Sequence, residues 1–125
     1  MTDTKSDNIV YVLTKGADNP EIVLLSFMHA VGALAMDVGA KLVLMGTAVN
    51  LAKKGAAKHV KYEGLKPMDE LLATFLEMGG QLYLCTPCFK GRGYDEKTEL
   101  IEEAKPIAAA FYTQMLLDAS AVVSY

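Results

Sequence analysis

Ile9-Val10-Tyr11-Val12-Leu13 is rich in β-formers and almost continuously apolar, the pattern of a strand covered on both faces rather than on one. Such a strand fits the middle of a parallel sheet with helices above and below it. The residues that follow agree. Lys15 to Asn19 is a polar turn, Asn19 suits a helix cap and Pro20 suits the first helical position, so a helix is expected from there to about Asp37, with Gly39 ending it. The same β-then-α alternation can be followed down the rest of the chain.

Lys41 to Met45 is the second strand, and Gly46-Thr47 leads into a short amphipathic helix through Lys53 with Val49 and Ala52 facing inward. Gly55 to Gly64 is the least regular stretch, within which Val60 and Tyr62 allow a short third strand. Pro67 starts a helix over Met68 to Met78, where Leu71, Leu72, Phe75 and Leu76 recur at helical spacing and Gly79-Gly80 stops it. Gln81 to Cys85 is the next strand. Glu96 to Glu103 is expected as a helix, Lys105-Pro106 as its break, Ile107 to Asp118 as an apolar helix and Ala121 to Tyr125 as the last strand. This order predicts an α/β fold: one three-layer α/β/α, Rossmann-like domain over residues 1–125, with a mainly parallel five-stranded sheet and right-handed crossovers.

With 52% apolar and 22% charged residues, the 125-residue chain has the composition of a packed globule rather than a disordered one. Its formal charge of -3 gives no basic surplus for nucleic acid. Ile22 to Met36, broken by Ser26 and His29, is the longest apolar stretch and is shorter than the roughly 20 residues a bilayer requires, so no membrane partner is expected. No leader is discerned before Ile9, and two cysteines three residues apart close only a tiny loop; a reducing cytoplasm is the expected compartment. Ile22 to Met36 and Ile107 to Leu117 present more apolar surface than a domain of this size covers, which points to self-association.

Both cysteines, Cys85 and Cys88, lie where an apolar run stops and a Pro/Gly-punctuated basic loop begins. Ligands of open α/β sheets bind at the carboxyl ends of the strands, so a cysteine closing a strand points toward the site. Thr86 as cap and Pro87 as the opening of a short helical turn would aim backbone N–H groups at the sulfur, and Lys90 and Arg92 add positive charge, all favouring thiolate. A structural zinc site wants four ligands, and beside this pair the chain offers only His29 and His59, neither at finger spacing, so neither a metal nor an organic cofactor is expected. A dithiol redox couple remains chemically open, as does plain packing of both cysteines. Thr14, Asp18, Gly46, Thr47 and Asn50 fall at or after strand ends, where turn and cap roles account for them. Lys53, Lys54, Lys58 and Lys61 form a basic cluster, either a solvated face or a dock for an acidic partner.

The apolar strand running into Cys85, followed by Arg92-Gly93 and the aromatic Tyr94, resembles the DsrE/DsrF and TusD-like family of sulfur-relay proteins, and the order of elements agrees along the whole chain. The resemblance implies a sulfur carrier or sulfurtransferase in which Cys85 accepts sulfane sulfur as a persulfide and passes it to a partner thiol, such as one on a TusA-like protein. It also implies a homotrimer or hexamer. Cys88 departs from the small apolar residue common at this place in relay members; it either attacks the Cys85 persulfide or fills space. The alternatives from other classes are a Cys-x-x-Cys thiol-disulfide redox protein and a non-enzymatic binding module on the same fold.

Overall fold

A computed structural model describes residues 6–125, so the expectation about a leader before Ile9 falls largely outside the described residues. Five strands, β1 (Asn8–Leu13), β2 (Gly39–Leu44), β3 (Gln81–Cys85), β4 (Ala104–Ile107) and β5 (Ala121–Ser124), form one all-parallel sheet in the order β4-β3-β2-β1-β5. The helices are α1 (Pro20–Ala35), α2 (Met68–Glu77), α3 (Thr86–Gly91), α4 (Glu96–Glu99) and α5 (Ala109–Asp118).

Right-handed crossovers explain the layers. From β1 to β4 the chain steps steadily in one direction, which puts α1 and α2 on one face; the return from β4 to β5, across to the far side of β1, puts α5 on the other. Alternation along the strands feeds both cores. Tyr11, Leu13, Leu42, Leu44, Leu82 and Leu84 join Val23, Leu24 and Phe27 of α1 and Leu71, Leu72 and Phe75 of α2 in the larger core. Val10, Val12, Val43, Tyr83 and Ile107 face Met115 of α5 in a smaller one. Phe27 and Phe75 meet edge to face, centroids 6.0 Å apart.

The expected strand at Val60 and Tyr62 does not form. Val60 is buried, but it ends a short 3₁₀ turn (Ala57–His59), and its carbonyl accepts from the Met68 N–H at 3.0 Å, so it closes the loop into α2 instead of pairing with a strand. The fifth strand is instead β4, over the Lys105-Pro106 pair expected to break a helix. A proline has no N–H to give a ladder, which ends helices and equally suits an edge strand such as this one. With Ala104 to Ile107 taken by β4, the helix expected over Glu96 to Glu103 shrinks to α4, and the last helix starts at Ala109 rather than Ile107. The expected short helix through Lys53 is a 3₁₀ segment, Gly46–Ala52. At the end of α1 the left-handed position is taken by Asp37 (φ 63°), not Gly39; the N–H groups of Asp37 and Val38 return to Leu34 and Ala33, and Gly39 begins β2.

Candidate functional site

Cys85 ends β3 and directly precedes α3, so strand and helix join without an intervening turn. Thr86, expected as the cap, is the first helical residue and Pro87 the second; the capping position belongs to Cys85, and no side chain caps the helix. Cys88 lies three residues along this six-residue helix. Its sulfur is joined to that of Cys85 in a disulfide, with the two Cα atoms 5.3 Å apart. The thiols expected to be free are thus held in the oxidised form. A bridge closing so small a loop contributes little as a staple.

The loop is fixed from both ends. Arg92, Gly93 and Tyr94 close α3: the Gly93 N–H reaches the Lys90 carbonyl at 2.9 Å, the Tyr94 N–H reaches that of Phe89 at 3.2 Å, and Gly93 takes the left-handed conformation (φ 75°) that such an ending requires. The Arg-Gly-aromatic sequence is therefore a helix stop. Tyr94 then turns onto the Gly46–Ala52 segment, where its hydroxyl donates to Asn50 Oδ1 and the Lys53 ammonium sits 4.7 Å from its ring centre. Phe89, 1% exposed, anchors α3 in the larger core.

The two sulfurs occupy different surroundings. Cys88 Sγ accepts the Gly46 N–H at 3.3 Å, at the carboxyl end of β2, where Gly46 adopts φ 60°. Cys85 instead lines an open pocket of about 280 Å³ on the α5 side of the sheet, with Val43, Met45, Pro87, Ile107, Ala108, Ala109 and Tyr112. None of these lining residues is charged, and the Tyr112 hydroxyl is the one polar side-chain group among them. Strand parity with Tyr83, which faces the smaller core, turns Cys85 toward this pocket, and as the last residue of β3 it also packs against the larger core.

The expected supporting residues sit around this pair in different ways. The Arg92 guanidinium donates to the Cys88 carbonyl at 3.0 Å, and Lys90 is exposed on the last turn of α3. Thr14 and Asp18 are not part of the site: Thr14 donates its hydroxyl to the Tyr125 carbonyl at 2.7 Å, and Asp18 is exposed. His29 is exposed on α1 and hydrogen-bonds through Nδ1 to the Tyr125 hydroxyl at 2.6 Å. No cluster of three or more His, Cys, Asp or Glu side chains suited to a metal occurs among the described residues, and no helix is long and apolar enough to cross a membrane. Sequence reasoning placed Gly46 and Asn50 at a strand end but missed their contacts with Cys88 and Tyr94, and it missed Met45, Ile107 and Tyr112 as pocket walls. Only the position of Gly46, at the same sheet edge as Cys85, hinted at the first.

A sequence model of the DsrE/DsrF-like family matches residues 7–125. The chain belongs to that family. An uncharacterized protein of Methanocaldococcus jannaschii, MJ0760, is 33% identical over 107 residues, which are 86% of this DsrE/DsrF-like chain and 38% of that protein; the chain thus spans well under half of this relative. Among solved structures, the ychN protein from E. coli superposes with a TM-score of 0.78 at 21% identity, covering 95% of this chain and 99% of that one. A conserved protein of unknown function from Bacteroides thetaiotaomicron, BT1422, gives a TM-score of 0.65 at 13% identity, with 95% of each chain covered. At such identities the likeness concerns the fold.

Proposed function

We propose that this chain is a sulfur carrier: Cys85 takes up sulfane sulfur as a persulfide and hands it to the thiol of a partner protein such as a TusA-like carrier. The observation that supports this best is the placing of Cys85 at the carboxyl edge of the sheet, open to a pocket, while the loop behind it is held by the Tyr94–Asn50 contact and the helix stop at Gly93. In the reduced protein, the Cys85 thiolate attacks the terminal sulfur of a polysulfide, forming Cys85–S–S⁻ and releasing a shorter polysulfide; a partner thiolate then attacks the outer sulfur and Cys85 leaves as thiolate. Thr86 at the start of α3, Lys90 and Arg92 would support the anion. The working place is the cytoplasm, and the acting form a homotrimer or hexamer.

The test is mass spectrometry of reduced protein after polysulfide. Wild type and Cys88→Ser should each gain one sulfur atom, about 32 Da, and Cys85→Ser should gain none. Loading that survives Cys85→Ser would reject the assignment.

The disulfide favours a second reading, a Cys85–Cys88 redox couple. Such a couple would lose its activity with either cysteine. Sulfur transfer retained in Cys88→Ser, with no thiol-linked reductase activity in wild type, would exclude it.

A further inference from the structure

We propose that the oxidised, disulfide-bonded form also loads sulfur, and that the donor it takes is sulfide, which enters the apolar pocket as neutral H₂S, gives a proton to water and, as hydrosulfide, attacks Cys85 Sγ and expels Cys88 as a thiolate. The proposal rests on the carrier reading above and names a donor for it.

Three features of the site converge on this step. The first is the direction of attack. A disulfide offers two sulfurs, and exchange follows access and the quality of the leaving thiolate. Both cysteines pack against the larger core, but Cys85 forms part of the pocket wall and Cys88 does not, and the Cys88 sulfur already accepts the Gly46 N–H. A hydrogen bond to a sulfur strengthens as that sulfur becomes anionic, so Gly46 assists the departure of Cys88 and has no counterpart for Cys85 among the described hydrogen bonds.

The second is the chemistry of the pocket. Its wall is aliphatic and aromatic, with no charged side chain among the lining residues. A thiosulfate dianion, or a carboxylate-bearing thiol such as glutathione, would shed water there without an ionic partner in return. Sulfide crosses apolar surroundings as neutral H₂S, and its single heavy atom is small against about 280 Å³.

The third is the electron balance. In HS⁻ + Cys85–S–S–Cys88 → Cys85–S–SH + Cys88–S⁻, one S–S bond breaks and one forms. The sulfide sulfur is oxidised to the sulfane level, and the disulfide, which the protein itself holds, is the two-electron oxidant. The proton stays on the outer sulfur or passes to water. Each disulfide loads one sulfur. Return of the Cys88 thiolate onto Cys85 Sγ reverses the step and releases HS⁻, so the Gly46 contact also sets how long the persulfide lasts.

Oxidised wild type treated anaerobically with one equivalent of sodium sulfide should gain about 34 Da, one H₂S added across the disulfide. Peptide mapping after alkylation should find the extra sulfur on Cys85 and a simple thiol at Cys88. Pre-reduced wild type and Cys88→Ser should gain nothing from sulfide. The extra sulfur on Cys88, or no gain by the oxidised protein, would overturn the proposal. Polysulfide run in parallel on reduced protein separates the two ideas: loading of Cys85 by polysulfide but not by sulfide rejects the sulfide donor alone, whereas failure with both rejects the carrier reading as well.

Discussion

The Tyr94 hydroxyl donates to Asn50 Oδ1 and thereby ties the end of the cysteine loop to the segment that follows β2. The two residues are 44 positions apart in sequence, and both are partly buried. With the Gly46 N–H on Cys88 Sγ, this contact makes β2 and β3 jointly responsible for where the two sulfurs lie.

Tyr94→Phe should therefore destabilise the fold by about 1–3 kcal/mol, because Asn50 Oδ1 loses its donor while remaining partly buried. Urea unfolding measures it. The same variant should alkylate Cys88 faster in the reduced protein, since the loop is freer to leave the Gly46 side. A stability and an alkylation rate both equal to wild type would show the contact to be dispensable.

Ala109 lines the pocket and is exposed at the first position of α5. Ala109→Glu should leave stability within about 0.5 kcal/mol of wild type, as expected for an exposed site, with the helix N-terminus accommodating the carboxylate. It should slow sulfide loading of the oxidised protein roughly tenfold, because a carboxylate beside the pocket disfavours the hydrosulfide anion that attacks Cys85. An unchanged rate would place the approach to Cys85 elsewhere.

Phe75 is fully buried against Phe27. Phe75→Ala should cost about 3–5 kcal/mol, whereas the exposed Leu117→Ala should cost little in the monomer. Paired thermal and urea denaturation at low protein concentration gives both values. Equal costs would contradict the core described above.

Asp95 caps α4 by accepting the Lys97 and Thr98 N–H groups at 2.9 and 3.2 Å. The backbone bond from Thr98, then that from Lys97, holds its carboxyl below the ordinary aspartate value of 3.8. A lowered folded pKa contributes stability above the unfolded value and loses it as pH falls through the folded one. The Lys97 and Thr98 amide resonances should accordingly titrate with a midpoint below 3.8, and a midpoint at or above it would mean that the cap is not made.

On the α5 side, Phe111 (54% exposed), Leu117 (71%) and Val122 of β5 lie open, and Met115 is the one buried residue of α5. A second copy covering this surface is the expected arrangement, as a trimer or a hexamer. Light scattering at micromolar concentration should give a multiple of 13.5 kDa, and Leu117→Lys should shift it toward the monomer. A wild-type protein of 13.5 kDa under those conditions would refute self-association.

Local chemistry determined most of the elements. The continuous apolar run at Ile9 to Leu13, the Asn19-Pro20 helix start, the spacing of Leu71, Leu72 and Phe75, and the strand ending at Cys85 each act over a few neighbouring residues, and they were legible as such. The right-handed α/β architecture followed from their order, whereas the count of five agrees only because β4 replaces the strand expected at Val60. Tertiary structure decided the rest. Ala104 to Ile107 pairs as a strand only because β3 offers it an edge, with Leu84 opposite Pro106, while Val60 has the local character of a strand and no neighbour to pair with. The same holds at the site: the sequence brings Cys85 to the sheet edge, but which sulfur faces the pocket and which meets the Gly46 N–H depends on the packing of β2 beside β3, residues about 40 positions apart, which no local pattern encodes.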